Sequence, residues 1–297
     1  MLRRLAHAAL ALLLLPAPAL AADGVDGWAE VTLRAVESNR AVVEGDDIDS
    51  SGIGIAVDTG FEWKGGRTAV QFDLGAEAFD YSDNTRETRQ SATGGVTLSH
   101  ELGDNLTLAV TASHGEDIVT QESRETDQDA VRGEVTWQKG DDRVRLRAQY
   151  RWREYLSDAA DRAEGLRVDA QYQRRFGNYH WLRLDAARED LDAVNPLRGF
   201  ERTTLRASYS RPVAKYLRLR PTIEYRDWTY DARRVGGDPD APLRRDRYVA
   251  PEIGLSYGHV DRGPQARLRA AWQLRSSNDP AYREDAPYFE AAIGWRF

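Results

Sequence analysis

The chain has 297 residues, 30% of them charged and 41% hydrophobic, with a net charge of −7 at pH 7 and no cysteine. That excludes a disulfide framework and thiol chemistry, and no segment after the N-terminal run is apolar enough to be a transmembrane helix. Lysine is scarce: only Lys64, Lys139 and Lys215 occur among 41 basic residues, the rest being arginine, whereas soluble surfaces normally use both.

Residues 1–7 carry Arg3 and Arg4, residues 8–22 form an apolar run broken by Pro16 and Pro18, and Ala19-Leu20-Ala21 is a small-x-small site. The run is too short and too proline-broken to span a bilayer, so it reads as a secretory signal peptide cut after Ala21. No cysteine follows the cut, so no lipid is attached there. Residues 22–297 are expected to form one domain.

From Trp28 onward the chain alternates apolar and polar residues with period two, the mark of strands with two unlike faces. The first strand sets Ala29, Val31, Leu33 and Ala35 on its apolar face; the second sets Ile53, Ile55, Val57, Phe61 and Trp63. Gly65-Gly66 turns into the third, with Val70, Phe72, Leu74, Ala76 and Ala78. The fourth (Gly94, Val96, Leu98) and fifth (Leu106, Leu108, Val110, Ala112) flank Gly103-Asp104-Asn105. Gly140-Asp141-Asp142 joins the sixth (Val131, Val135, Trp137) to the seventh (Val144, Leu146, Ala148, Tyr150, Trp152), and Gly177-Asn178 joins the eighth (Leu166, Val168, Ala170, Tyr172) to the ninth (Leu182, Leu184, Ala186). Residues 212–216 separate the tenth (Leu205, Ala207, Tyr209) from the eleventh (Leu217, Leu219, Ile223, Tyr225). Residues 260–264 separate the twelfth (Val249, Ile253, Leu255, Tyr257) from the thirteenth (Ala266, Leu268, Ala270, Trp272, Leu274). The fourteenth, residues 287–297, sets Phe289, Ala291, Ile293, Trp295 and Phe297 against Tyr288, Glu290, Ala292, Gly294 and Arg296.

Connections alternate in length. Short turns follow the even strands and longer polar loops the odd ones, and all three lysines lie at short turns. An even strand count with this asymmetry describes a transmembrane antiparallel up-and-down β-barrel of about 14 strands, with 12 and 16 as neighbouring counts. The last strand, amphipathic and ending on an aromatic, resembles the assembly signal of bacterial outer-membrane β-barrel proteins, carried by Phe289, Trp295 and Phe297. In length and strand count the chain is similar to small monomeric porins. That resemblance implies Sec-type export, a Gram-negative outer membrane, contact with outer-membrane lipid and lipopolysaccharide, handling by periplasmic chaperones and the barrel assembly machinery, and a monomer.

Aromatic residues gather near strand ends, as expected of membrane interfaces. Trp28, Trp63, Trp137, Trp181, Tyr216, Tyr257, Trp295 and Phe297 lie near short turns; Trp152, Tyr155, Trp228, Tyr230, Tyr248, Tyr288 and Phe289 lie near long loops. A secreted β-sandwich, the alternative, predicts neither two aromatic rims nor alternating loop lengths.

If apolar faces meet lipid, the others line the interior. Arg143, Arg145, Arg147, Arg151, Arg153, Arg167, Arg183, Arg206, Arg218, Arg220, Arg267 and Arg269 are then the basic lining; Asp58, Glu62, Asp73, Glu77, Glu101 and Glu134 are the acidic one. Residues 23–139 hold 9 basic and 24 acidic side chains, and residues 140–297 hold 30 and 24. In a meander barrel this asymmetry along the chain becomes a basic wall facing an acidic wall, a transverse field that selects solutes. About eight strands fill their own interior and about 16 to 18 leave it open, so fourteen strands suit an Arg-lined pore for small anionic or zwitterionic solutes. Two alternatives remain: export of a cargo such as an anionic polysaccharide or a surface protein, and a structural or adhesive barrel closed by pairing of these arginines with Asp169, Asp185, Glu224, Glu252 and Glu290.

No enzyme, cofactor or metal is expected. His114 with Ser113 and Asp117 is the one catalytic candidate, but alternation puts His114 and Ser113 on opposite faces. The acidic stretch Glu44 to Asp49 lacks the ligand spacing of a calcium loop, and the arginines form no exposed patch for nucleic acid. Whether the longest loop, Asp231 to Asp246, folds inward is left open by the pattern.

Overall fold

Alternation becomes fourteen strands: β1 (Val25–Ser38), β2 (Gly52–Gly65), β3 (Thr68–Tyr81), β4 (Arg89–Gly103), β5 (Leu106–Ile118), β6 (Thr126–Lys139), β7 (Asp142–Tyr155), β8 (Arg162–Phe176), β9 (His180–Ala193), β10 (Phe200–Ala214), β11 (Leu217–Arg234), β12 (Leu243–Gly258), β13 (Gly263–Ser277) and β14 (Ala286–Arg296). The structure, a computed structural model, describes residues 24–38, 51–83, 88–123, 125–156, 161–177, 179–258 and 262–297. The signal-peptide expectation, the acidic stretch Glu44 to Asp49 and the turn residue Asn178 lie outside them.

Each strand pairs antiparallel with its sequence neighbours, and β14 closes the barrel on β1. The closing register sets Val31 opposite Trp295 and Leu33 opposite Ile293, so the apolar faces of first and last strands form one continuous outer surface. One residue from every strand, from Leu33, Ile53 and Leu74 through Val135 and Leu184 to Leu268 and Ile293, is 41–66% exposed there. In water this apolar sleeve would be an aggregation surface; against hydrocarbon it is the stable choice.

The tight turns explain the short connections. Gly66 (φ 62°) and Gly140 (φ 60°) take the left-handed conformation that two-residue hairpins require. Tyr216 takes it without being glycine (φ 64°), a cost of roughly 1–2 kcal/mol, and Lys215 Nζ lies 5.0 Å from its ring centroid. The expected loop from Asp231 to Asp246 is shorter than its sequence suggested. β11 runs to Arg234 and β12 starts at Leu243, leaving a tip whose Gly236 N–H donates to Asp279 Oδ2 at 2.9 Å. That tip packs on the β13–β14 connection. Asp279 also accepts from Ala281 N–H at 3.0 Å, and these two backbone donors hold its carboxyl below the usual carboxylate range.

Half of the expected aromatic girdle residues face the other way. Trp63, Trp137, Tyr257, Trp295 and Phe297 at the short-turn end, and Trp152 and Phe289 at the long-loop end, are exposed on the outer surface. Trp28, Trp181, Tyr155, Trp228, Tyr230, Tyr248 and Tyr288 instead share the face of the arginines in their strands. Arg296 stacks over Trp28 at 5.0 Å and Arg220 over Trp181 at 5.2 Å. Position along the strand suggested the rim; the side-chain face is set by parity, and parity points these rings inward.

Inside the long-loop end the rings make two packed clusters. Tyr155, Leu191, Phe200, Trp228, Tyr230 and Tyr248, each at most 5% exposed, pack with Ala163 and Ala250 across β7–β12. Val36, Phe79, Ala286 and Tyr288 pack across β1, β3 and β14. A Cβ on Gly54 would lie 2.8 Å from the Phe79 ring, and one on Gly52 2.5 Å from it, so these glycines make room for that ring.

Candidate functional site

The inward faces assemble two unlike walls. On β7, Arg143, Arg145, Arg147, Arg151 and Arg153 alternate with the outward Val144, Leu146, Ala148, Tyr150 and Trp152, and the register sets Arg147 opposite Asp169 and Arg145 opposite Gln171. Parity and register bring Arg167, Arg183, Arg206, Arg218, Arg220, Arg267 and Arg269 to the same interior. Asp58, Glu62, Asp73, Glu77, Glu101 and Glu134 face it from β2, β3, β4 and β6. Between these acids the inward positions are short: Gly54, Ala56, Gly60, Gly75, Gly95 and Ala109 among them. Long guanidinium arms therefore reach toward a wall that leaves space.

Charges at the long-loop half are paired. Glu189, 2% exposed, accepts from both Arg151 and Arg202, with Arg167 at 3.9 Å. Arg226 pairs with Glu224 at 2.9 Å, Arg244 with Asp246 at 2.7 Å, and Arg34 and Arg89 share Glu77, each at 2.7 Å. At the barrel seam Glu290 accepts from Arg267 Nε at 2.9 Å and Tyr288 Oη at 2.7 Å. Removing one partner of such a pair strands a buried charge, at about 3–5 kcal/mol.

Among the described residues the connection that folds inward is not the one singled out by length. The β5–β6 connection turns into the barrel: Val119 is buried, Glu122 accepts from Arg153 and from Tyr155 Oη (2.8 Å), and Gln121 Oε1 accepts from Arg202 Nη1 at 2.7 Å. Beside it lies a cavity of about 330 Å³, bounded by Glu77, Arg89 and Thr93 on one side and Arg151, Arg202 and Glu189 on the other. Parity marks Arg202 and Glu189 as inward residues alongside Arg206 and Asp185. Nothing periodic marks Glu122 or Gln121.

Toward the short turns arginines outnumber carboxylates, and only some are paired, Arg183 with Asp185 and Arg269 with Glu252 each at 3.0 Å. A second cavity, about 380 Å³, is lined by seven arginines and three carboxylates. Arg147 reaches Asp169 only at 3.8 Å and Arg206 reaches Glu252 at 3.5 Å. Arg132, Arg143, Arg218 and Arg220 contact no carboxylate among the described residues; Arg218 donates instead to Ser210 Oγ and to the Tyr179 carbonyl. On the opposite wall Asp58 is exposed and Glu62 meets Lys64.

The catalytic candidate does not assemble. His114 faces outward, 2.9 Å from Asp129, while Ser113 lies on the inward face opposite Ala130. Among the described residues no group of three metal-ligating side chains forms.

No family model matches the chain, and no curated protein matches it. Solved structures do. OmpT, an outer membrane protein of Vibrio cholerae, aligns over 94% of this chain and 99% of its own at 12% identity, with a TM-score of 0.54. The fold is that of outer-membrane porins and related barrels. A bacterial polysaccharide outer membrane secretin aligns over 91% and 98% at 11% identity (TM-score 0.55), and an anion-selective porin from Comamonas acidovorans over 92% and 99% at 10% identity (TM-score 0.50).

Proposed function

We propose that this protein is an outer-membrane pore for passive diffusion of small hydrophilic solutes, favouring anions. The observation that carries the reading is the short-turn cavity, where seven arginines face three carboxylates and an acidic wall of short side chains lies opposite. An excess of guanidinium groups over carboxylates in a water-filled bore raises local anion concentration and repels cations. The short-turn end is then periplasmic, reached after Sec-type export, with Phe289, Trp295 and Phe297 presented to the assembly machinery and the outer sleeve to lipid and lipopolysaccharide. It works as a monomer and as a conduit, without catalysis. The inward β5–β6 loop narrows the bore and sets the size limit.

Export of an anionic polysaccharide is the second reading, supported by the arginine lining and by the fold likeness to a polysaccharide secretin. The packed clusters at the long-loop end oppose it, since a polymer has no wide exit there. Planar-bilayer recording of the purified barrel tests the pore: discrete anion-favouring channels at neutral pH are expected, and their absence would refute it.

A further inference from the structure

The short-turn cavity has an internal design beyond general positive charge. Its floor is made of short residues, Ala187, Thr204 and Ser208, and long arginines from four successive or near-successive strands stand around it: Arg147 on β7, Arg183 on β9, Arg206 on β10 and Arg220 on β11. Arg183 is held by Asp185 at 3.0 Å, which fixes one guanidinium plane. Arg220 has no carboxylate contact and lies over the Trp181 ring, with the like charges of Arg206, Arg183 and Arg218 near it, opposed by Glu252 and by the three carboxylates of the recess, Asp169, Asp185 and Glu224. The Nε groups of Arg147 and Arg206 are buried without an acceptor among the described residues.

Seven arginines against three carboxylates converge on one recess, with Arg220 held over the Trp181 ring and Arg183 held by Asp185. A monovalent ion would offset too little of that repulsion, whereas a tetrahedral oxyanion with two or more charges accepts from several guanidinium forks at once. We propose that the recess is a discrete, saturable site for the phosphoryl dianion, free as inorganic phosphate or carried by a small phosphate ester, through which such solutes pass stepwise. Trp181 supplies an apolar face beside the charge for the organic part of an ester. The inference rests on the pore reading for its role in transport, but the site itself stands on the recess.

The test is chloride current through single barrels while inorganic phosphate is added at pH 8, with acetate as the singly charged comparison and glycerol phosphate as the ester. Phosphate should block chloride current saturably and acetate should not. The double variant R206Q/R220Q should weaken the block about a hundredfold, the scale of losing two charge-assisted hydrogen bonds at about tenfold each, while Arg188→Gln on the outer face leaves it unchanged. A tighter block by glycerol phosphate would assign the ester as the preferred form, and equal block the free ion. Channels whose current shows no saturable phosphate block, or blocks equally with acetate, would overturn the site and leave the pore standing. If no channels form, the pore reading fails, and calorimetric titration of phosphate into the solubilised barrel still decides the site: heat that saturates in the parent and weakens in R206Q/R220Q supports it, and no heat overturns it.

Discussion

At the long-loop half of the lumen Arg151, Arg153, Arg202 and Arg244 each meet a carboxylate, beside aromatic rings at most 5% exposed. At the short-turn half Arg132, Arg143, Arg218 and Arg220 meet none among the described residues. The same side chain is thus used in two ways within one barrel. Where rings and ion pairs pack together, arginine is filling, and its charge is cancelled locally. Where short residues leave a recess, arginine is lining, and its charge acts on whatever enters. The first use sets rigidity and bore; the second sets selectivity.

The sharpest way to break this comparison is Glu189→Ala. Two buried arginines lose their shared acceptor, so stability to urea in lipid vesicles should fall by about 3–5 kcal/mol, with the sign of ion selectivity unchanged. Next in size is the opposite kind of change, Arg183, Arg206 and Arg220 all replaced by glutamate. Stability should shift less, while the reversal potential in a salt gradient should change sign toward cations; an unchanged potential would mean that these residues do not line the path. Arg151, although it is one of the inward arginines legible in the sequence, is the wrong residue for such a charge swap, because its effect would come through Glu189.

A smaller effect is expected for Glu122→Ala. Losing the acceptor of Arg153 and Tyr155 should loosen the inward loop, raise single-channel conductance and cost roughly 1–3 kcal/mol of stability. Conductance equal to the parent's would show that this loop does not limit the bore. Smallest is the pH response of the rim contact between Gly236 and Asp279. A carboxyl held low when folded contributes above its ordinary value of 3.8 and loses that contribution as pH falls through the depressed folded value. Protease nicking of the 235–242 tip should therefore stay low at neutral pH, rise only in strong acid, and be high at neutral pH in Asp279→Ala.

Strand count and closure were legible because both follow from a period of two and from turn chemistry, which are local. Tyr155 shows where that reading slipped: it has the parity of Arg153, two residues before it, yet its place at a strand end suggested a membrane rim. Trp181 and Arg183 repeat the lesson. What no periodicity carries is the partner of a long side chain. Gln121 and Arg202 stand 81 residues apart, joined by a connection whose inward turn is written in its contacts, with the acceptor of Arg153 supplied from the same loop. The division of arginines into filling and lining depends on those partners and so appears only in three dimensions.

The central claim is that the uncompensated arginines of the short-turn half govern permeation. The reversal potential of the unmodified barrel under a potassium chloride gradient measures it directly. The account predicts a potential of the sign that reports chloride as the more permeant ion, diminishing as high salt screens the wall. A potential reporting preferred potassium, or none across the gradient, would contradict it.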